Sequence, residues 1–138
     1  MYVLLLLLFG ASFTKSLRDQ SVGVRGMLKC GNKPLNGTTV KLWDEDRGLD
    51  HDELLDESVT DSRGYFELNG HTSELTNIDP FIKVYHDCND ELKPCKRKVR
   101  FKVPDKFISN GKTVMKWFEL GEINMEAVYE DEGRSCTD

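Results

Sequence analysis

A chain of 138 residues has room for one domain, and 38% hydrophobic residues allow a core of modest size. Lys and Arg number 19 against 24 Asp and Glu, and the formal charge of −5 excludes wholesale nucleic-acid binding, which needs a basic footprint. Aromatic residues, 9% of the chain, are spread along it, so a disordered acidic polymer is excluded, as are a multidomain enzyme, a membrane channel and a collagen-like chain.

Residues 1–16 read as a signal peptide. The apolar run Val3 to Leu8 is too short to span a bilayer, and the small residues behind it suit a peptidase pocket, with cleavage after Ser16 or Ser12. The expected domain is residues 17–138, exported to an oxidising extracellular compartment, with no transmembrane segment. Ser21 to Cys30 alternates, with Val22, Val24, Leu28 and Cys30 on one face and Arg25 and Lys29 on the other, which predicts a half-buried strand. Gly31 to Pro34 is a turn cluster, and Thr39 to Trp43 is the next strand. Between them Asn36-Gly37-Thr38 is a glycosylation sequon, which makes Asn36 a candidate glycan acceptor.

Asp44 to Asp61 holds Asp44, Glu45, Asp46, Asp50, Asp52, Glu53, Asp56, Glu57 and Asp61 against Arg47 alone. Ca²⁺ favours about six to eight hard oxygens, but Gly48 stands where an EF-hand loop wants its third Asp or Asn, and no glutamate closes such a loop. A solvated, self-repelling loop is expected, and no metal is assigned. Leu55 to Thr60 and Tyr65 to Leu68 read as a hairpin across Asp61-Ser62-Arg63-Gly64, with Gly64 supplying a positive φ. After the polar stretch Gly70 to Asp79, Phe81 to His86 is a strand that turns His86 inward. Arg97 to Val103 alternates most cleanly, and Pro104 ends it. Lys116 to Leu120 and Ile123 to Tyr129 supply two more strands around Gly121. Short helical turns fit only at Ser73 to Ile78 or Lys106 to Asn110. Eight short strands predict an all-β fold, an eight-stranded antiparallel β-sandwich with at most one short helix.

Cys30, Cys88, Cys95 and Cys136 form an even set, which in an exported domain implies disulfides with three possible connectivities. No Cys-x-x-Cys pair supports zinc, and His86 beside Cys88 is one weak pair. His51 sits among acids and His71 in a polar stretch, neither with a nucleophile nearby. Ser62, Ser73 and Ser109 lack the G-x-S-x-G setting, and no Gly-rich loop cradles phosphate. Trp43, Tyr85, Phe101, Trp117 and Phe118 are expected as core or sheet-face aromatics. These residues predict no enzyme and no cofactor.

The ordered blocks Cys30-Gly31, Lys33-Pro34-Leu35, Val40-Lys41-Leu42-Trp43-Asp44-Glu45-Asp46, Asp52-Glu53-Leu54-Leu55-Asp56, Thr60-Asp61, Gly64, Phe66-Glu67-Leu68, Asp79-Pro80 and Tyr85-His86-Asp87-Cys88, followed by Lys96-Arg97-Lys98 and Ile123-Asn124-Met125-Glu126, closely resemble the nematode transthyretin-like family of small secreted proteins. The match runs from about Leu17 to Tyr129. The resemblance implies the transthyretin sandwich. One sheet would order Tyr65–Leu68, Ser21–Cys30, Lys116–Leu120 and Ile123–Tyr129; the other would order Leu55–Thr60, Thr39–Trp43, Phe81–His86 and Arg97–Val103. It also implies an inter-sheet bridge between Cys30 and Cys88, leaving Cys95 for Cys136; the alternative joins Cys88 to Cys95 and Cys30 to Cys136. The family's hydroxyisourate hydrolase cousins end in Tyr-Arg-Gly-Ser, whereas this chain runs Tyr129-Glu130-Asp131-Glu132-Gly133-Arg134-Ser135-Cys136. The hydrolase activity therefore does not carry over.

Period 2 sets Lys98, Arg100 and Lys102 on one outward face, and in the implied sheet Lys83 and Lys41 extend it. Such a face is a candidate dock for an anionic lipid headgroup, a sulfated glycan or an acidic protein partner, against the alternative of a merely solvated face. The expected function is a secreted, non-enzymatic binding module with an unidentified extracellular protein or anionic surface as partner. Carriage of a small apolar ligand such as a hormone or lipid is the second reading. The sequence assigns no oligomeric state.

Overall fold

The computed structural model describes residues 16–46, 51–90 and 93–137. The expected leader, up to residue 15, and part of the acidic loop, 47–50, lie outside the described residues. The strands are β1 (Arg18–Cys30), β2 (Lys33–Pro34), β3 (Thr39–Asp44), β4 (Glu53–Val59), β5 (Tyr65–Glu74), β6 (Pro80–His86), β7 (Lys96–Lys102), β8 (Ser109–Asn110), β9 (Trp117–Asn124) and β10 (Gly133–Ser135). A single 3-10 turn, Asp105–Phe107, follows Pro104.

The strands form two sheets. In the first, β1 is the hub, flanked by β2 and β5 and by β8 and β9; the second runs β10-β7-β6-β3-β4. Pairing is antiparallel throughout except between β1 and β9, which run parallel. Alternation sends Val22, Val24 and Leu28 of β1, Phe66 and Leu68 of β5, Val40 and Leu42 of β3, Ile82 and Val84 of β6 and Val99 of β7 into one shared core. The two-layer all-β sandwich expected from the sequence is present, built on the hydrophobic burial of these inward faces.

Four local expectations are corrected. The segments around Asp61–Gly64 are not a hairpin: β4 belongs to the second sheet and β5 to the first, so the turn is a corner between layers. Asp61 Oδ1 accepts the N–H groups of Arg63 (2.9 Å) and Tyr65 (3.0 Å), and Gly64 at φ +80 passes under β1, accepting the Leu28 N–H at 2.8 Å. Second, β5 continues past Leu68 to Glu74 because its backbone stays laddered to β1 as far as Arg18↔Glu74, whatever the polarity of its side chains. That extension takes the first two residues of the segment Ser73 to Ile78 considered for a helical turn, and the rest of it forms no helix.

Third, β1 itself begins at Arg18 rather than Ser21, through the same ladder. Fourth, the last two predicted strands are one. β9 crosses Gly121 (φ +77) through a register shift opposite Arg25 and Gly26, and ends at Asn124. Beyond it Asn124 Oδ1 accepts the Gly31 and Glu126 N–H groups, Met125 is fully buried, and the chain crosses to the other sheet, where β10 lies against β7.

Candidate functional site

The outward face of the second sheet is set by register. One row across it reads Glu57, Lys41, Lys83, Arg100, from β4 to β7. The row on one side is Thr39, Tyr85, Lys98, and on the other Trp43, Phe81, Lys102. Cations and aromatic rings therefore alternate over three strands. Phe81 is only 1% exposed and Tyr85 6%, although both point away from the core, because long cationic side chains lie across them. The Arg100 guanidinium sits 3.7 Å above Phe81, Lys83 Nζ stands 5.2 Å from Trp43 and 5.5 Å from Phe81, and Lys41 Nζ stands 5.1 Å from Tyr85. Each contact contributes about 0.5–1 kcal/mol where water has access.

Two of these cations have carboxylate partners. Arg100 pairs with Glu45 at 3.0 Å and Lys41 with Glu57 at 3.8 Å. Among the described residues, Lys83, Lys98 and Lys102 have no such ion pair. Burial, together with the positive charges of Lys98, Arg100 and Lys41, holds the Lys83 ammonium below its ordinary pKa, against the opposing pull of Asp52. A bound anion would relieve that crowding. All four predicted anion-binding residues, Lys83, Lys98, Arg100 and Lys102, thus stand on one face of adjacent strands.

Next to this face, Asp44, Glu53 and Glu74 bring carboxylate oxygens within 4.8 Å of one another, from β3, β4 and β5. Asp44 is 4% exposed and its Oδ1 accepts the Asp79 N–H at 2.8 Å. Burial, and then the neighbouring Glu74, push its pKa up to about 7, so the cluster shares a proton near neutrality.

At the opposite end Cys30 of β1 is joined to Cys88 just past β6, Cα to Cα 5.6 Å, and Cys95 to Cys136 at 4.2 Å. A surface cleft of about 480 Å³ lies there, lined by Lys33, Asn36, Thr38, His86 and Asn89 among others. Asn36 is exposed in the β2–β3 loop beside Gly37 at φ +73. His86 is 2% exposed and points inward. Its Nδ1 accepts the Cys88 N–H at 3.1 Å, while Nε2 is buried with no partner among the described residues. Burial first, and the Arg97 charge second, lower its pKa to about 4, so the ring is neutral and Nε2 carries the proton.

His51 and His71 are exposed, Ser62 lies in the corner turn, Ser73 is on β5, and Ser109 Oγ accepts the Met115 N–H at 2.9 Å. Arg97, next to Lys98 in the chain, points inward instead and is 5% exposed. It donates to the Cys88, Met125 and Ala127 carbonyls at 2.8–2.9 Å and to both Glu132 oxygens at 3.0 and 2.7 Å. Parity with Val99 was the signal that turns it inward. Arg134 completes the clamp with two bonds to Asp90, at 2.8 and 2.6 Å.

No helix among the described residues is long and apolar enough to cross a membrane. The model of the transthyretin-like family matches residues 25–104. Transthyretin-like protein 33 of Caenorhabditis elegans is 50% identical over 89% of this chain and 86% of its own length. Transthyretin-like protein 5 is 46% identical over 97% of this chain and 96% of its own, and transthyretin-like protein 46 is 49% identical over 97% and 74%; both are from the same organism. Among solved structures, a 9R-lipoxygenase from Cyanothece PCC8801 aligns with 84% of this chain and 18% of that chain, at 21% identity and a TM-score of 0.42.

Proposed function

This chain belongs to the transthyretin-like family, and we propose that it is a secreted, non-enzymatic recognition module whose outward basic face binds anionic groups, phosphate or sulfate, on an extracellular partner. The observation that carries the reading is the row Lys41–Lys83–Arg100 with Lys98 and Lys102 beside it, cations of three adjacent strands gathered on an otherwise acidic protein. Ring contacts fix the cations of Lys41, Lys83 and Arg100 before any ligand arrives, which lowers the ordering entropy of binding.

Binding rather than catalysis is supported by His86, whose Nδ1 is occupied and whose Nε2 is enclosed. Export is supported by the two disulfides and by the apolar leader in the sequence. Carriage of an apolar ligand between the sheets gains no support, because Val22, Val24, Leu42, Leu68, Ile82 and Val84 are each fully buried against one another.

The test is reversal of Lys98, Arg100 and Lys102 to glutamate in the oxidised, secreted protein. Salt-sensitive retention on anionic matrices should be present in the native protein and lost in the variant. Retention that survives the reversal, or is missing from the native protein, overturns the proposal.

A further inference from the structure

The positive field on this face is long in one direction and narrow in the other. Lys98, Arg100 and Lys102 occupy alternate positions of β7, so their side chains recur every ~7 Å and span ~14 Å along the strand. Lys83 stands beside Arg100 on β6. Across the strands the sign changes quickly: Lys41 meets Glu57, Arg100 meets Glu45, and the negative charge of Asp52 acts on Lys83. A flat anionic bilayer laid on this sheet would press those carboxylates against its own charge, on a protein that already carries −5. A single linear polyanion following β7 would meet only Glu45, the partner of Arg100, and not Glu57 at the β4 edge.

The aromatic residues narrow the class further. Single-stranded nucleic acids are held by bases stacked on open rings, but Phe81 is 1% exposed, Tyr85 is 6% exposed, and Lys83 lies over Trp43. The rings serve the protein's own cations, which leaves charge-assisted hydrogen bonds to tetrahedral anions as the recognition chemistry. We propose that the occupant is one chain of a sulfated polysaccharide, lying along β7 with its sulfates on Lys98, Arg100 and Lys102 and a side contact to Lys83; this rests on the anion-binding reading of the same face.

The experiment measures binding of the full oxidised chain to a heparin hexasaccharide by titration calorimetry. It is run beside flotation with phosphatidylcholine vesicles that do or do not contain phosphatidylserine. By the counterion-release slopes of linear polyanions, three contacts weaken binding about 20- to 40-fold between ~50 and ~200 mM salt. Lys98→Gln with Lys102→Gln should lose most of that salt dependence, and the pair leaves Arg100 over Phe81 so that the fold is kept; near-ultraviolet circular dichroism checks this. Lys29→Gln, on the outward face of the other sheet, where it pairs with Glu122, should bind as the native protein does.

Hexasaccharide binding with these properties, and no preference for phosphatidylserine vesicles, supports the inference. Charge-dependent binding to the vesicles but not to the hexasaccharide overturns it while leaving the anion-binding face intact. Binding to neither probe by the native protein overturns both. Equal hexasaccharide binding by the Lys98 and Lys102 variant overturns the placement on β7.

Discussion

Replacing Arg97 with methionine removes a buried cation while roughly keeping its volume, and the structure sets the size of the loss. At 2.7 Å the Arg97–Glu132 attraction is about 6 kcal/mol in an effective dielectric of ~20, before desolvation of both ions takes back several kcal/mol. The intact pair is therefore worth little net. Deleting one partner is different, because Glu132, with a side chain 14% exposed, is stranded while three carbonyls lose their donor. A stranded buried charge costs about 3–5 kcal/mol. With a urea m-value of about 2 kcal/mol per molar for a domain of this size, the midpoint should fall by about 2 M in a disulfide-intact denaturation curve. Arg97→Met with Glu132→Leu leaves no unpaired ion and should lie closer to the native protein than Arg97→Met alone. A midpoint shift under ~0.5 M for the single variant would mean that water already serves these carbonyls, and the clamp argument would be wrong.

Gly64→Ala drives a Cβ into the Leu28 carbonyl oxygen at φ +80, whereas Gly37→Ala, at φ +73, meets nothing within 4 Å. The second should cost about 1–2 kcal/mol from conformation alone and the first at least ~3 kcal/mol, so thermal midpoints should fall by about 4–8 °C and by about 12 °C or more; equal shifts would refute the contact. Because the Asp44 pKa is raised to about 7 in the folded protein, the native state holds the extra proton, and its stabilising contribution fades as pH rises from about 4 to about 7. Asp44→Asn should flatten that slope by about 2 kcal/mol, discounted for the open rim of the cluster, and an unchanged slope in pH-dependent melting counts against the shared proton. His86 works in the opposite sense: its folded pKa of about 4 makes it stabilising above the unfolded value near 6.5, with loss as pH falls toward 4. Nitrogen-15 NMR of the ring at pH 6 should show the neutral form protonated on Nε2, and an imidazolium there would contradict the burial.

The strands were legible where one face of each is buried. Val22–Leu28, Val40–Leu42, Ile82–Val84 and Arg97–Val103 alternate because their other face meets water, and all four lie where period 2 puts them. The second half of β5 was not legible. Asn69 to Glu74 carries no apolar alternation, and only its ladder to β1 makes it a strand. The corner at Gly64 looked like a hairpin because turn chemistry is local, while the choice of sheet on leaving the turn is made by distant partners. The end of β9 was hidden for a similar reason: Ile123 and Met125 read as a continuing strand, but Asn124 diverts the backbone by taking the Gly31 N–H. For the site, period 2 placed Lys98, Arg100 and Lys102 correctly, whereas the acidic counterparts Glu45 and Glu57 depend on register across β3, β4 and β7, which composition does not encode.

The two roles of β7 depend on each other through its parity. Arg97 faces inward and holds the tail, while Lys98, the next residue, faces outward with Arg100 and Lys102. The tail so held supplies β10, which pairs with Lys96, Arg97 and Lys98 and makes that end of β7 an interior strand rather than an edge. An unpaired edge strand frays and lets its side chains wander, and a row of like charges would drive it to do so. Pairing on both sides instead fixes the backbone under Lys98, so the spacing of the row is kept without counterions. The Cys95–Cys136 bridge and the Arg134–Asp90 pair bracket the same short strand. Weakening the clamp should therefore reach the outward face before it unfolds the domain, first at Lys98 and least at Lys102, which pairs with Phe81 of β6 beyond the reach of β10.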